Sequence, residues 1–368
     1  METTLEDAIG QAVAAVVDPE LDLPLGDIGM VRGVSTRRHR VGVTLALPVA
    51  GWPDGEELRW QVAAAAAAVS GVRDVAVELV VMSDPERDAL RQALRHRMSD
   101  GDGPSFLRPG SKTRVIGISS GKGGVGKSSV TVNLAVALAA TGRRVGILDA
   151  DVYGFSVPKM LGVARDPVVL GDMVVPAGAH GVRVLSMGFF VEDDTPVIWR
   201  GPMLHKAIEQ FLKDAYWGDP DVLLVDMPPG TGDVTLSLAQ VMGRAEVVVV
   251  TTPQPAAQRV AQRSAYAARK LKLSVRGVIE NMSWFSADDG KRYELFGSGG
   301  GQALADDLGV PLLGQVPLVP ALREGGDIGV PVAVREPDSE ASLAFVALAE
   351  TLMEMGPARV YRSELTVH

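Results

Sequence analysis

Cysteine is absent from all 368 residues. Disulfides, zinc–thiolate sites and a cysteine nucleophile are thereby excluded. Long apolar runs are absent too. The longest candidate, residues 63–69, is mostly alanine and far shorter than a membrane span requires,. The start, METTLEDAIG, is acidic and lacks both the basic residues and the apolar stretch of a signal peptide,. A cytoplasmic protein is expected, with no membrane partner. Excess positive charge is missing as well. The formal net charge of −9 argues against a surface that tracks phosphate backbones, so no nucleic-acid partner is expected,. The basic cluster Arg37, Arg38, His39 and Arg40 lies between two strand-like runs and reads as a solvated hairpin turn,.

What remains is an ordinary globular composition, 46% apolar and 22% charged, with length enough for two domains,. Apolar residues at Leu5, Ala8, Ile9, Ala12, Val13 and Val16 have helical spacing, and Asp18-Pro19 ends that helix,. Residues 41–47 and 72–82 read as strands around an alanine-rich helix at 56–69. This predicts a small α/β domain over 1–85. A helix-like basic stretch at 87–97 and the Gly/Pro/Ser-rich run SDGDGPSFLRPGSK make 86–111 the linker,. From 112 to 358 strands alternate with helices, leaving 359–368 as a tail. The strand candidates at 115–119, 145–149, 222–227, 246–251 and 274–279 are apolar on both faces. That is the mark of buried parallel strands. Helical segments at 128–140, 204–215, 234–242 and 255–271 lie between them. The alternation predicts a parallel sheet with helices on both faces, whose ligands sit at the carboxyl ends of the strands.

Residues 121–128 read GKGGVGKS, directly after a strand (VIGISS) and directly before an amphipathic helix. This is the phosphate-binding G-x-x-x-x-G-K-[ST] loop in its confirming context. Gly121, Gly123, Gly124 and Gly126 let successive amides, with those of Lys122, Val125 and Ser129, turn toward phosphate oxygens. The helix start adds its partial positive charge. Lys127 is expected to reach the β- and γ-phosphates and Ser128 to ligate Mg²⁺. On residue type alone Lys122 is a solvated loop charge.

Three further motifs end strands. Asp149 and Asp151 flank one alanine; Asp151 is assigned to water activation and Asp149 to a supporting role near the metal, with capping of the next segment the plainer alternative for either,. Asp226 follows four apolar residues and reads as the acid that holds Mg²⁺ through water. The Pro228-Pro229-Gly230-Thr231-Gly232-Asp233 run suits a γ-phosphate sensor, with Gly232 offering a backbone amide,. Asn281 carries an amide that can read an adenine edge.

Taken together, SGKGGVGKSSVTVNLA, LDADVYGFSVPKMLG, VIWRGPM, LLVDMPPGTGD, TTPQ, GVIENMS and LFGSGGG resemble the Mrp/ApbC group of P-loop ATPases, within the MinD/ParA class of deviant P-loops. The N-terminal stretches VDPEL and LGDIGMV are similar to the domain often fused to that group. The resemblance implies slow Mg²⁺-dependent ATP hydrolysis and a homodimer, with Lys122 reaching the partner's nucleotide and Asn281 contacting the base. It also implies a role with iron–sulfur assembly or client proteins. The group usually places C-x-x-C between the ENMS and FGxGG stretches for a shared 4Fe–4S cluster, and a Gly-Cys-Pro in the N-terminal domain. Here the first interval is WFSADDGKRYE and the second is Gly51-Trp52-Pro53. His39, His96, His180, His205 and His368 all lie outside the first interval, and Asp288 and Asp289 are hard ligands unsuited to iron–sulfide. Asp-Asp-Gly followed by Lys-Arg predicts a tight hairpin instead. Two functions follow: an ATP-driven factor in iron–sulfur protein assembly, or a nucleotide-switched organiser of the MinD/ParA kind without a cluster of its own. The tail ARVYRSELTVH lacks the basic amphipathic face of a membrane-targeting helix.

Overall fold

The structure is a computed structural model that describes residues 4–37, 40–98, 106, 111–152, 154–190, 201–230, 233–241, 245–287 and 289–358. Its contacts separate two compact units.

The first unit comprises residues 1–103 with 168–175 and 214–218. Helix Leu5–Ala14 begins at a capping box, in which Thr4 accepts from Asp7 N and the Asp7 carboxylate accepts from Thr4 N,. Strand Val31–Arg37 pairs antiparallel with Arg40–Leu47, which in turn runs parallel to Asp74–Val81 across the helix Gly55–Ala67. The two strands flanking the basic cluster thus form a hairpin; Arg38 and His39 of its turn lie outside the described residues. Trp52 donates from Nε1 to the Asp18 carboxylate at 2.9 Å. The other Asp18 oxygen accepts from Glu20 N and Leu21 N, so the buried acid pins the loop after the first helix.

One boundary differs from the sequence reading. Where a linker was expected from residue 86, helix Asp84–Met98 runs four turns and buries Leu90, Leu94 and Met98 in the first unit's core. The reason is in the spacing: those three apolar residues recur at intervals of four on one face of an otherwise charged helix. Leu170, Met173, Val175 and Tyr216, inside the expected second domain, also join this core.

The second unit is built on an eight-stranded sheet, counted among the described residues. Its order is 177–179, 182–186, 145–149, 222–226, 114–120, 246–251, 274–281 and 312–316. All neighbours are parallel except the first pair. The five predicted strands are present, and the strands Val182–Ser186 and Leu312–Val316 extend the sheet on both sides. Strand Arg114–Ser120 is central: the chain passes to one side for 145–149 and 222–226 and to the other for 246–251. That reversal opens a crevice at its carboxyl end. Helices Lys127–Ala140 and Glu340–Glu354 cover one face, burying Val130, Leu134, Leu138, Phe345, Leu348 and Leu352. At the opposite, amino end of the central strand, Arg114 and Glu246 form a pair at 2.6 Å, with side chains 4% and 3% exposed.

Candidate functional site

The loop 121–126 and the first turn of helix Lys127–Ala140 close over the carboxyl end of the central strand. Gly124 (φ +80°) and Gly126 (φ +78°) occupy the left-handed region, where a side chain would strain the backbone,. No side chain caps the helix start, so its first amides are available to an anion. Gly121 is required for a different reason. A Cβ there would lie 2.2 Å from Ala261 N and Val260 C, in the backbone of helix Pro255–Lys270. A Cβ at Gly126 would meet Asn281 Nδ2 at 2.3 Å. The loop is wedged between two neighbours as well as shaped for phosphate.

A cavity of about 250 Å³ lies above it, lined by residues 122–129 together with Ser120, Asp151, Gly154, Met160 and Pro229. The expected residues 122–129 and Asp151 are therefore brought together. Lys127 is buried and its Nζ sits 2.6 Å from Asp226 Oδ2, 3.2 Å from Ser128 Oγ and 3.8 Å from Asp151 Oδ2. Ser128 Oγ donates to the same Asp226 oxygen at 2.6 Å, and Thr131 Oγ1 donates to the other at 2.7 Å. Asp226 is fully buried and reaches this spot from the strand next to the P-loop strand.

Asp149 lies in register with Asp226 on the adjoining strand. Its Oδ1 accepts from Asp151 N at 3.2 Å, and its Oδ2 accepts from Ser186 Oγ at 3.0 Å and Val157 N at 3.3 Å. Burial, followed by the nearby Asp226 charge, pushes its carboxyl up to about 7,. Both oxygens thus accept from backbone N–H groups, of Asp151 and of Val157, the contacts of the capping alternative. Asp151, 8% exposed, is the acid left facing the cavity.

Gly230 N donates to Ser120 O at 2.9 Å, and Ser264 Oγ links Gly230 O to Ser119 Oγ. The start of the Pro-Pro-Gly run is thereby joined to the P-loop strand. Thr231 and Gly232 lie outside the described residues, so the Gly232 amide has no described position. Asn281 donates from Nδ2 to Val125 O at 2.9 Å, tying the end of its strand to the loop.

Hard oxygen donors, the Ser128 hydroxyl and the Asp226 carboxylate, converge beside Lys127, a donor set that fits Mg²⁺ shared with a phosphate. Among the described residues no group of three or more His, Asp or Glu side chains is placed to hold a metal alone. The interval expected as a hairpin is one: Phe285–Ser286 pairs antiparallel with Arg292–Tyr293. Asp288 lies outside the described residues. Glu340 clasps the hairpin by accepting from Trp284 Nε1 at 3.1 Å, Ser286 Oγ at 2.7 Å and Arg292 Nη2 at 2.6 Å. The Arg292 guanidinium stacks over Trp284 at 4.5 Å. Nothing in this clasp is a soft ligand, so it does not fit an iron–sulfur core.

Three contributors escaped the sequence reading. Thr131 stands four residues after Lys127, on the same helix face, and that spacing could have flagged it. Ser186 ends a strand that the sequence reading did not pick out. Ser264 lies mid-helix and carries no local signal.

Comparison with known proteins agrees with this geometry. Residues 111–353 match the family described as NUBPL iron-transfer P-loop NTPase, and residues 6–79 match that described as iron–sulfur cluster assembly protein. The iron–sulfur cluster carrier protein of Mycobacterium leprae is 47% identical over 95% of this chain and 92% of its own length. That of Synechocystis is 42% identical over 94% and 96%. A nucleotide-binding protein of Archaeoglobus fulgidus, solved with ADP, has a TM-score of 0.53 at 34% identity, over 62% of this chain and 90% of that one. The septum site-determining protein MinD of Pyrococcus horikoshii, solved with Mg-ADP, has a TM-score of 0.51 at 27% identity, over 66% and 97%. With a nucleotide loop of this construction and relatives aligned along nearly its whole length, the chain belongs to the NUBPL iron-transfer P-loop NTPase family.

Proposed function

We propose that the chain is a slow, Mg²⁺-dependent ATPase that works as a homodimer in the assembly of iron–sulfur proteins. The observation that carries this reading is the convergence of Lys127, Ser128, Asp151 and Asp226 on one P-loop cavity. The loop amides and Lys127 bind the triphosphate, with Lys127 exchanging Asp226 for phosphate oxygens. Ser128 and Asp226 would hold Mg²⁺, whose charge would offset that of the phosphates,. Asp149 holds the 150–157 loop so that Asp151 faces the cavity. Asp151 then orients a water and takes its proton as the water oxygen bonds to the γ-phosphorus. The bond to the β-phosphate oxygen breaks, leaving ADP and phosphate. Gly232 supplies an amide to the γ-phosphate, Lys122 reaches the partner's nucleotide, and Asn281 contacts the base.

The relatives' names supply the iron–sulfur context, while this chain's own residues restrict its part in it. Without cysteine and with the hairpin closed on Glu340, the chain acts on a cluster held by a client or assembly protein. The same absence favours a second reading, a nucleotide-switched organiser that never meets a cluster. Anaerobic incubation with iron and sulfide separates a third case: stoichiometric iron and sulfide on the isolated chain would overturn the statement that it holds none. The catalytic assignment is tested by Asp151→Asn, which should bind ATP as wild type does and hydrolyse it about 10²–10⁴-fold more slowly. Undiminished turnover would remove Asp151 from the mechanism.

A further inference from the structure

Helix Pro255–Lys270 carries Arg259, Arg263, Arg269 and Lys270 and no acidic residue, in a chain of net charge −9. At 3.6 residues per turn, Arg259, Arg263, Tyr266 and Lys270 fall within about 60° of one another. All four are exposed, Tyr266 at 44%. The opposite side is the buried one, carrying Ala257, Ala261, Ser264, Ala265 and Ala268. Arg269 is occupied with the Leu308 carbonyl. Among the described residues, Arg259, Arg263 and Lys270 make no ion pair or hydrogen bond. Elsewhere on this unit, exposed cations such as Lys213, Lys291, Arg292 and Arg323 are paired with acids. Among the described residues, Arg259, Arg263 and Lys270 thus make a row of free cations on one helix face, about 16 Å long at 1.5 Å per residue,.

We propose that this outer face of helix Pro255–Lys270 is the docking surface for an acidic protein partner. A row of carboxylates on that partner would meet Arg259, Arg263 and Lys270, and an apolar group would lie on the Tyr266 ring. Arginine and tyrosine are the residue types that anchor protein interfaces, and guanidinium groups take carboxylates in a two-bond fork. The chain's net charge of −9 offers a nucleic-acid backbone no long-range attraction,. A second copy meeting this face through its own would set cations against cations. The inner side of the same helix touches Gly121 through Val260 and Ala261, and Ser264 joins it to Gly230. A partner seated here is thus one helix thickness from the P-loop. The proposal goes beyond the ATPase reading and needs no cluster.

The test uses the full chain and a fluorescein-labelled helical peptide with glutamates at i, i+4, i+7 and i+11. A labelled 20-base-pair DNA duplex serves as the competing probe. Anisotropy is read at 50 mM and 300 mM salt for wild type, for R259A/R263A/K270A and for the charge-matched K213A/K291A/R323A. Wild type should bind the peptide and lose affinity as salt screens the pairs. Three exposed pairs of ordinary surface strength multiply to about a tenfold loss in the first variant, with the second within twofold of wild type. Melting and ATP turnover should be unchanged in both. Absence of peptide binding by wild type, or equal loss in the two variants, would overturn the proposal. So would tighter binding of DNA that disappears with the row, or a salt-sensitive self-association that does.

Discussion

Replacing Gly121 by alanine separates two reasons for glycine at the mouth of a P-loop. If the residue is needed only so that phosphate can approach the backbone, the apo protein should tolerate the methyl group. The structure puts that methyl 2.2 Å from two backbone atoms of helix Pro255–Lys270. Ordinary contact begins at 3.4 Å, so loop and helix must part by about 1.2 Å, and backbone cannot swing aside as a side-chain tip can. Overpacking of this kind costs about 1–3 kcal/mol. For a unit of this size each kcal/mol lowers Tm by about 2–4 °C, giving a fall of about 2–12 °C without nucleotide. The separation also pulls Ser264 from Ser119 and Gly230, so nucleotide affinity should fall with stability. Calorimetric melting of the apo protein is the assay. An apo Tm equal to wild type, with nucleotide binding alone reduced, would refute the packing argument.

Two other outcomes follow from buried charge. Glu246→Ala leaves Arg114 unpaired at 4% exposure and should cost about 3–5 kcal/mol, read as the denaturation midpoint in urea,. A loss below 1 kcal/mol would show that water reaches the pair. Asp149 in the apo protein without Mg²⁺ should titrate near 7, well above 3.8. Its folded value is the raised one, so its contribution to stability is full below about 3.8 and is lost as pH rises through about 7,. Asp226→Asn should lower that midpoint, and carboxyl NMR would detect it. A midpoint near 4 in wild type would contradict the burial and charge argument.

The sheet was legible because buried parallel strands are apolar on both faces, and 145–149 and 246–251 carry that pattern without interruption. Strand Val182–Ser186 was not, since its VRVLS run places an arginine amid the apolar residues. Lys127, Ser128 and Asp226 announced themselves by motif, because a phosphate loop tolerates few residue types. The hydrogen bonds of Asp149 did not, because Val157 and Ser186, which donate to it, lie 8 and 37 positions away. The helix Asp84–Met98 was visible as a helix, yet its charge hid the leucine stripe that makes it part of the first unit. The double duty of Gly121 has no sequence signal at all, being a matter of which helix backbone lies behind it.

The most direct test of the account is calorimetric titration of ATP with Mg²⁺ into the wild-type chain and into Lys127→Ala. Wild type should bind ATP. The variant, if it melts cooperatively, should bind at least about thirtyfold more weakly, the loss of one charge-assisted contact of about 2 kcal/mol. Equal affinity in the two proteins would contradict the claim that the triphosphate lies in the loop 121–128.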